Sequence, residues 1–399
     1  MHKLNRFLVL FVIFSVFFVG CDETAPPNEI LHESNNTPVE TTSKTENTNP
    51  DQVETRSFLM GFSSWPPSID STLNNQAYSF MRKHGDIFER HEDDGMPWVE
   101  ALNGDPLPQA FLNNWADQKS LVGSDQKIFL MVSPLGMERN NLAPYYGESD
   151  NMPLPADWQN KFLGDKQVQI AYLRILKEGI EFWHPDYLSI GSEVNVMMHS
   201  DFDKWKQYKE FHKFIYTELK KDYPNLPIFA TFTIQEMRGE AEGSNKERQI
   251  KEIKSLLPYL DIIGISAYSY GWNYWPTGKL DPIPDDFFDV ALQFKKPIAI
   301  TESGAPNRDF KALGINYKFD DAYQKEFLKI MLETAQNNDV EFVINYASYD
   351  FDKLLEIIPP GQIREVATIW AYTGLVKSNG IAKPALSIWD EYYAKNYTK

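Results

Sequence analysis

From residue 58 onward the chain alternates between short apolar runs and longer amphipathic stretches. The apolar runs are FLMGFSSW (58–65), GDIFERH (85–91), KIFLMVSPL (127–135), YLSIGSE (187–193), PIFATFTI (227–234), DIIGISAYSY (261–270), PIAITES (297–303) and EFVINYASYD (341–350). They are nearly continuous rather than alternating, the pattern of strands buried on both faces of a parallel sheet. Between them lie segments of helical period. DFDKWKQYKEFHKFIYTELKKDYP places Trp205, Tyr208, Phe211, Ile215 and Leu219 on one stripe, with Asp201 or Asp203 to cap its start and Pro224 to close it. DDAYQKEFLKIMLETAQNND repeats the pattern with Tyr323, Phe327, Ile330 and Met331, and QVQIAYLRILKEGIEFW does so before the fourth run. Eight strands with helical crossovers predict an α/β fold, a single-domain (β/α)8 barrel over residues 57–399. The count includes GDIFERH as a strand; without it the pattern fits an open doubly wound sheet.

The first twenty residues read as a targeting segment. Lys3 and Arg6 precede a thirteen-residue apolar stretch, Phe7 to Val19, shorter than a membrane span of about 20 residues. It runs into FVGC, and Cys21 is the single cysteine of the chain. This resembles the lipobox of bacterial lipoproteins, which implies lipidation at Cys21 and a membrane-anchored, extracytoplasmic protein of a bacterium, periplasmic or at the cell surface. A plain secretory signal or an uncleaved anchor is the alternative. One cysteine allows no disulfide within the chain. Residues 21–56, rich in Thr, Asn, Glu and Pro, cannot bury enough apolar area to offset chain entropy and read as a disordered tether. A formal net charge of −17 with no basic run argues against nucleic acid as a partner. The expected state is a monomer.

Two of the apolar runs carry a glutamate at their end, Glu193 in YLSIGSEVN and Glu302 in PIAITESGAP. Desolvation disfavours an ionised carboxylate, so two such placements ask for a reason. In a barrel both residues point into the mouth at the C-terminal ends of the strands, the fourth and the seventh. A pair of carboxyls on opposite sides of one bond is the requirement of glycoside hydrolysis, with retention when they stand about 5–5.5 Å apart. SIGSEVN and AITESG resemble the fourth- and seventh-strand signatures of clan A glycoside hydrolases. Within the clan the nearest likeness is the arabinogalactan endo-β-1,4-galactanase family, whose sixth strand resembles DIIGISAYSYGW; GLVKSNGIAKPALSIWDEYY is similar to a C-terminal pattern of the clan. The resemblance implies Glu193 as general acid/base, Glu302 as nucleophile, Tyr268 as a hydroxyl orienting Glu302, and Arg90 as the cation that holds it ionised. Two departures stand out. Ser192 occupies the position where the clan has an Asn whose amide bonds the sugar 2-hydroxyl, with Asn195 as a candidate substitute, and the eighth run lacks a Trp platform, for which Trp370 is the candidate.

Other residues carry weaker expectations. His91 shares the end of the second strand. Trp272 and Trp275 follow the sixth run and suit a sugar subsite or a loop plug equally, as do Trp65 and Trp98. Asp350 and Asp352 have oxygen-ligand spacing for a structural calcium, though a D-x-D pair alone is a weak signal. No HExxH, clustered zinc spacing or glycine-rich phosphate loop is present, so no cofactor is expected. The expected activity is hydrolysis of a β-linked poly- or oligosaccharide, galactan-type or hemicellulose-like, by double displacement. A non-catalytic glycan-capture lipoprotein and a transglycosylase remain alternatives.

Overall fold

The computed structural model describes residues 54–270 and 282–399. Each of the eight apolar runs contributes a strand: β1 Leu59–Ser63, β2 Ile87–Glu92, β3 Lys127–Val132, β4 Tyr187–Ser189, β5 in two segments (Ile228–Phe229 and Thr231–Thr233), β6 Ile263–Ala267, β7 Ile298–Ser303 and β8 Val340–Asn345. All neighbours are parallel, and β8 pairs with β1. The first segment of β5 pairs with β4 and the second with β6, so one strand, broken at Ala230, supplies both ends of the sheet. The sheet therefore closes into a (β/α)8 barrel with no free edge.

The lumen is filled by aromatic side chains. Phe129 and Phe342 lie on non-adjacent strands, yet their ring centroids are 4.9 Å apart, so the contact crosses the barrel interior. Phe229 stacks on Phe129 at 5.7 Å and Tyr187 meets Phe342 at 4.9 Å. This plug fixes the parity of every strand beside it. On β2, Glu89 pairs with Phe129 and His91 with Met131, so Glu89 and His91 face inward while Arg90, opposite Leu130, faces the helices.

The helices form where the stripes predict them. Phe202–Asp222 is capped by Asp201, whose carboxylate accepts from the backbone N–H groups of Asp203 and Lys204, and its five stripe residues are fully buried. Lys166–Trp183 and Asp321–Asn337 are likewise capped by Asp165 and Asp320. Opposite the mouth, Thr55–Arg56 pairs in parallel with Asn396–Tyr397. Arg56 is buried there and donates to the Phe58 carbonyl at 2.6 Å and to Asp86 at 2.8 Å. Among the described residues no helix is long and apolar enough to cross a membrane. Cys21, the segment before it and most of the proposed tether lie outside the described residues, as do Trp272 and Trp275.

Candidate active site

The candidate site is built on β2 and β7, on the segments that follow β4 and β6, and on the loop after β3. Glu302 is the penultimate residue of β7, beside Ser266 of β6, where the register shifts. The Tyr268 hydroxyl, just beyond β6, donates to Glu302 Oε1 at 2.5 Å. The Tyr268 backbone carbonyl is held by the side-chain amide of Gln235. Burial, and then the charge of Glu193, push the Glu302 carboxyl up to about 7, against the pull of the Tyr268 hydroxyl and the Arg139 guanidinium. The two glutamates therefore face one mouth and sense each other.

Glu193 is placed differently from the expectation that it ends a strand. β4 stops at Ser189, and Glu193 opens the short turn Val194–Val196 with a left-handed backbone, φ 47° and ψ 38°. A non-glycine residue pays about 1–2 kcal/mol for that conformation. Its N–H is fixed by the Thr231 hydroxyl at 2.8 Å, which ties the turn to β5. The carboxylate meets Arg139, whose Nη2 lies 3.3 Å from Glu193 Oε2 and donates to Ser192 Oγ at 3.1 Å.

Arg90 is a correction to the expected cation. Its outward parity delivers it to Glu92, bonded through both Nε and Nη2 at 2.8 and 2.9 Å, and to Asn114 at 3.0 Å. The cation that acts on Glu302 is Arg139, from the loop between β3 and the helix that precedes β4. Asn195 is the second correction. It is fully buried, with Nδ2 donating to the Thr233 carbonyl and to Gln249 and Oδ1 accepting from Thr233 N–H, so no polar group is left for a sugar. Trp98 is also buried, bonded to the Ala143 carbonyl and stacked on Trp158 at 5.6 Å, and belongs to the core.

His91 does reach the mouth. Burial first, and the charges of Arg139 and Arg90 after it, push its imidazole down to about 3, so it stays neutral. Its Nε2 is buried with no protein partner among the described residues. Glu89, two residues earlier on the same face, was not singled out from the sequence although the parity of His91 implies it. Its carboxyl is raised well above the usual range by burial, then by the charge of Glu302, and its Oε2 lacks a partner. Arg139 had no sequence signal, being one charged residue in an irregular loop.

Aromatic faces border this set. Trp370 meets the Tyr268 ring edge-on at 6.3 Å, and Trp65 packs against Tyr346 at 6.1 Å and Phe351 at 5.9 Å. The calcium expectation at Asp350 and Asp352 does not fit: the Lys383 ammonium sits 2.6 Å from Asp350 Oδ1, so a cation already belongs to the protein there. Among the described residues no group of three or more His, Cys, Asp or Glu is gathered as a metal site.

No protein-family model and no curated protein matches the sequence. Solved structures do match in fold. A GH5_18 protein of Streptomyces cattleya, crystallised with Manb1-4GlcNAc, superposes with a TM-score of 0.58 at 13% identity, over 84% of this chain and 80% of that one. The exo-beta-1,4-mannosidase of Opitutaceae bacterium strain TAV5 gives 0.57 at 14% identity, over 87% and 62%. A beta-glucuronidase of an uncultured Clostridium gives 0.48 at 16% identity; the chain spans 85% of its own length but only 50% of that protein. At these identities the likeness to the first two establishes a shared barrel fold.

Proposed function

We propose that this protein is a retaining glycoside hydrolase acting on a β-linked poly- or oligosaccharide, with Glu193 as acid/base and Glu302 as nucleophile. The observation that carries the reading is the pair itself. Two carboxyls from β7 and from the turn after β4 share one mouth, with the charge of Glu193 raising Glu302 and the Tyr268 hydroxyl seated on Glu302 Oε1. Double displacement needs a proton on Glu193 for donation to the leaving oxygen, while Glu302 attacks the anomeric carbon. Water deprotonated by Glu193 then releases the sugar. Tyr268 donates to the ionised Glu302 and supports that state. The resemblance of the sequence motifs to the arabinogalactan endo-β-1,4-galactanase family favours galactan-type or hemicellulose-like substrates, and the names of the solved structures add β-mannosides to the panel. The proposed setting is the outer side of a bacterial membrane, with Cys21 lipidated.

The test is Glu302→Ala assayed on activated aryl β-glycosides. Turnover should vanish, and azide should restore part of it with inverted product. Undiminished turnover in the variant sinks the assignment. Glycan capture without cleavage is the second reading, favoured by the Arg139 guanidinium lying against the carboxylate that has to donate a proton. Calorimetric titration of polysaccharides beside a reducing-end assay separates the two: binding with no new reducing ends supports capture.

A further inference from the structure

Arg139 sits at the tip of a hairpin-like loop closed by the Leu135–Leu142 bridge. Met137 is 59% exposed and Glu138 is exposed, yet Arg139 is only 9% exposed, because its backbone turns left-handed at φ 56° and sends the side chain into the mouth. That conformation is unfavourable for a residue with a Cβ. The guanidinium is also incompletely satisfied. Nη1 donates to the Gly136 carbonyl and Nη2 to Ser192 and Glu193, whereas Nε is buried with no partner. A buried donor left unbonded costs free energy unless a ligand meets it.

Two further unpartnered buried atoms of the mouth bear on what that ligand is. His91 Nε2 and Glu89 Oε2 share the inward face of β2. With Arg139 Nε they form a mixed set of donors and acceptors, which suits hydroxyl groups, each able to give and take one hydrogen bond. An anionic ligand is disfavoured: the Arg139 guanidinium is already engaged by the Glu193 carboxylate at 3.3 Å, and the Glu302 carboxyl acts on the same space.

We infer that Arg139 is a substrate-binding residue that donates through Nε to a hydroxyl of an uncharged sugar ring seated between Glu193 and Glu302, while its Nη2 holds the Glu193 carboxylate against Ser192. The small side chain of Ser192 leaves room for this guanidinium, and its hydroxyl accepts from it. The inference rests on the glycosidase reading for the place of the sugar. It adds that the substrate is neutral and that one hydroxyl is read by Arg139.

The experiment uses aryl glycosides of galactose, mannose, glucose and glucuronic acid, and the monodeoxy analogues of whichever one the wild type cleaves. kcat/KM is measured for wild type, Arg139→Lys and Arg139→Gln, with thermal melts to establish that each variant is folded. The variants should lose roughly 10- to 100-fold on the parent glycoside. The wild type should lose a comparable factor on one deoxy analogue, and the variants little more on that analogue, because residue and hydroxyl are partners in one bond. Variants within twofold of wild type overturn the inference. So does an analogue penalty that is the same with and without Arg139, or a wild type indifferent to every deoxy position. Preferred cleavage of the glucuronide overturns the neutral-sugar assignment. Should the wild type cleave none of the four, the hydrolase reading fails separately, and calorimetry with the methyl glycosides decides about Arg139. Binding of a neutral glycoside weakened at least tenfold by Arg139→Gln upholds it, and equal or absent binding overturns it.

Discussion

At the scale of single residues, the proposed chemistry turns on what touches Glu302. The Tyr268 hydroxyl donates to its carboxylate and so favours the ionised form. Tyr268→Phe removes that donor, and the acid limb of the kcat/KM profile should move to higher pH; an unmoved limb shows that the hydroxyl does not control the proposed nucleophile. The raised pKa of Glu302, about 7, also links to stability. A carboxyl that holds its proton more tightly folded than unfolded contributes stability that is fully present below its unfolded pKa near 4.5. That contribution is lost as pH rises through the folded value, on the order of 3 kcal/mol by the size of the shift. Glu302→Gln should therefore leave the melting temperature little changed at pH 5 and raise it relative to wild type at pH 8. Equal differences at the two pH values contradict the shift. Glu89 was within reach of sequence reasoning, since it stands two residues from His91 on the same face of β2. Arg139 was not, because nothing in an irregular loop marks which side chain turns inward.

At the scale of elements, the turn after β4 is what converts a sequence motif into the candidate site. β4 ends at Ser189, and the next residues are held by Thr231 on Glu193 N–H and by Asn195, which bridges Thr233 and Gln249. Sequence reasoning gave Asn195 to the sugar; the structure spends its whole amide on joining the turn to β5 and to the helix Lys246–Leu256. Asn195→Ala should accordingly destabilise by about 2–4 kcal/mol, as expected when several buried hydrogen-bond partners are orphaned together. Urea denaturation measures the loss. KM at a temperature where the variant is folded should stay near the wild-type value, and a raised KM without a stability loss would return Asn195 to substrate binding. Arg90 illustrates the same limit on β2: its position at a strand end was legible, but its outward parity follows from the register with β3 and the aromatic plug beneath.

At the scale of the whole molecule, closure decides the outcome. Lys383, near the C-terminus, is buried against Asp350 of the loop after β8 and also bonds the Tyr372 carbonyl, so one ion pair holds the C-terminal segment to the rim. Lys383→Met leaves a buried carboxyl unpaired. It should cost about 3–5 kcal/mol at pH 8. The cost should be smaller at pH 5, because burial above all, even against the pull of Lys383, raises Asp350 to about 6 and it takes up a proton there. Chemical denaturation at the two pH values checks the sign. The sequence by itself determined the eight strands, three of the helices between them and the positions of the two glutamates, because burial on both faces and helical amphipathicity are written locally in residue order. Closing the eight strands into a ring was implied by that count. Only the tertiary structure decided which side chains share the mouth. Strand parity, the left-handed turns at Glu193 and Arg139, and the partners of Arg90 and Asn195 depend on contacts between residues distant in sequence, and no local pattern encodes those. Arg139 came to the mouth by folding, and the aspartate spaced for a metal received a lysine instead.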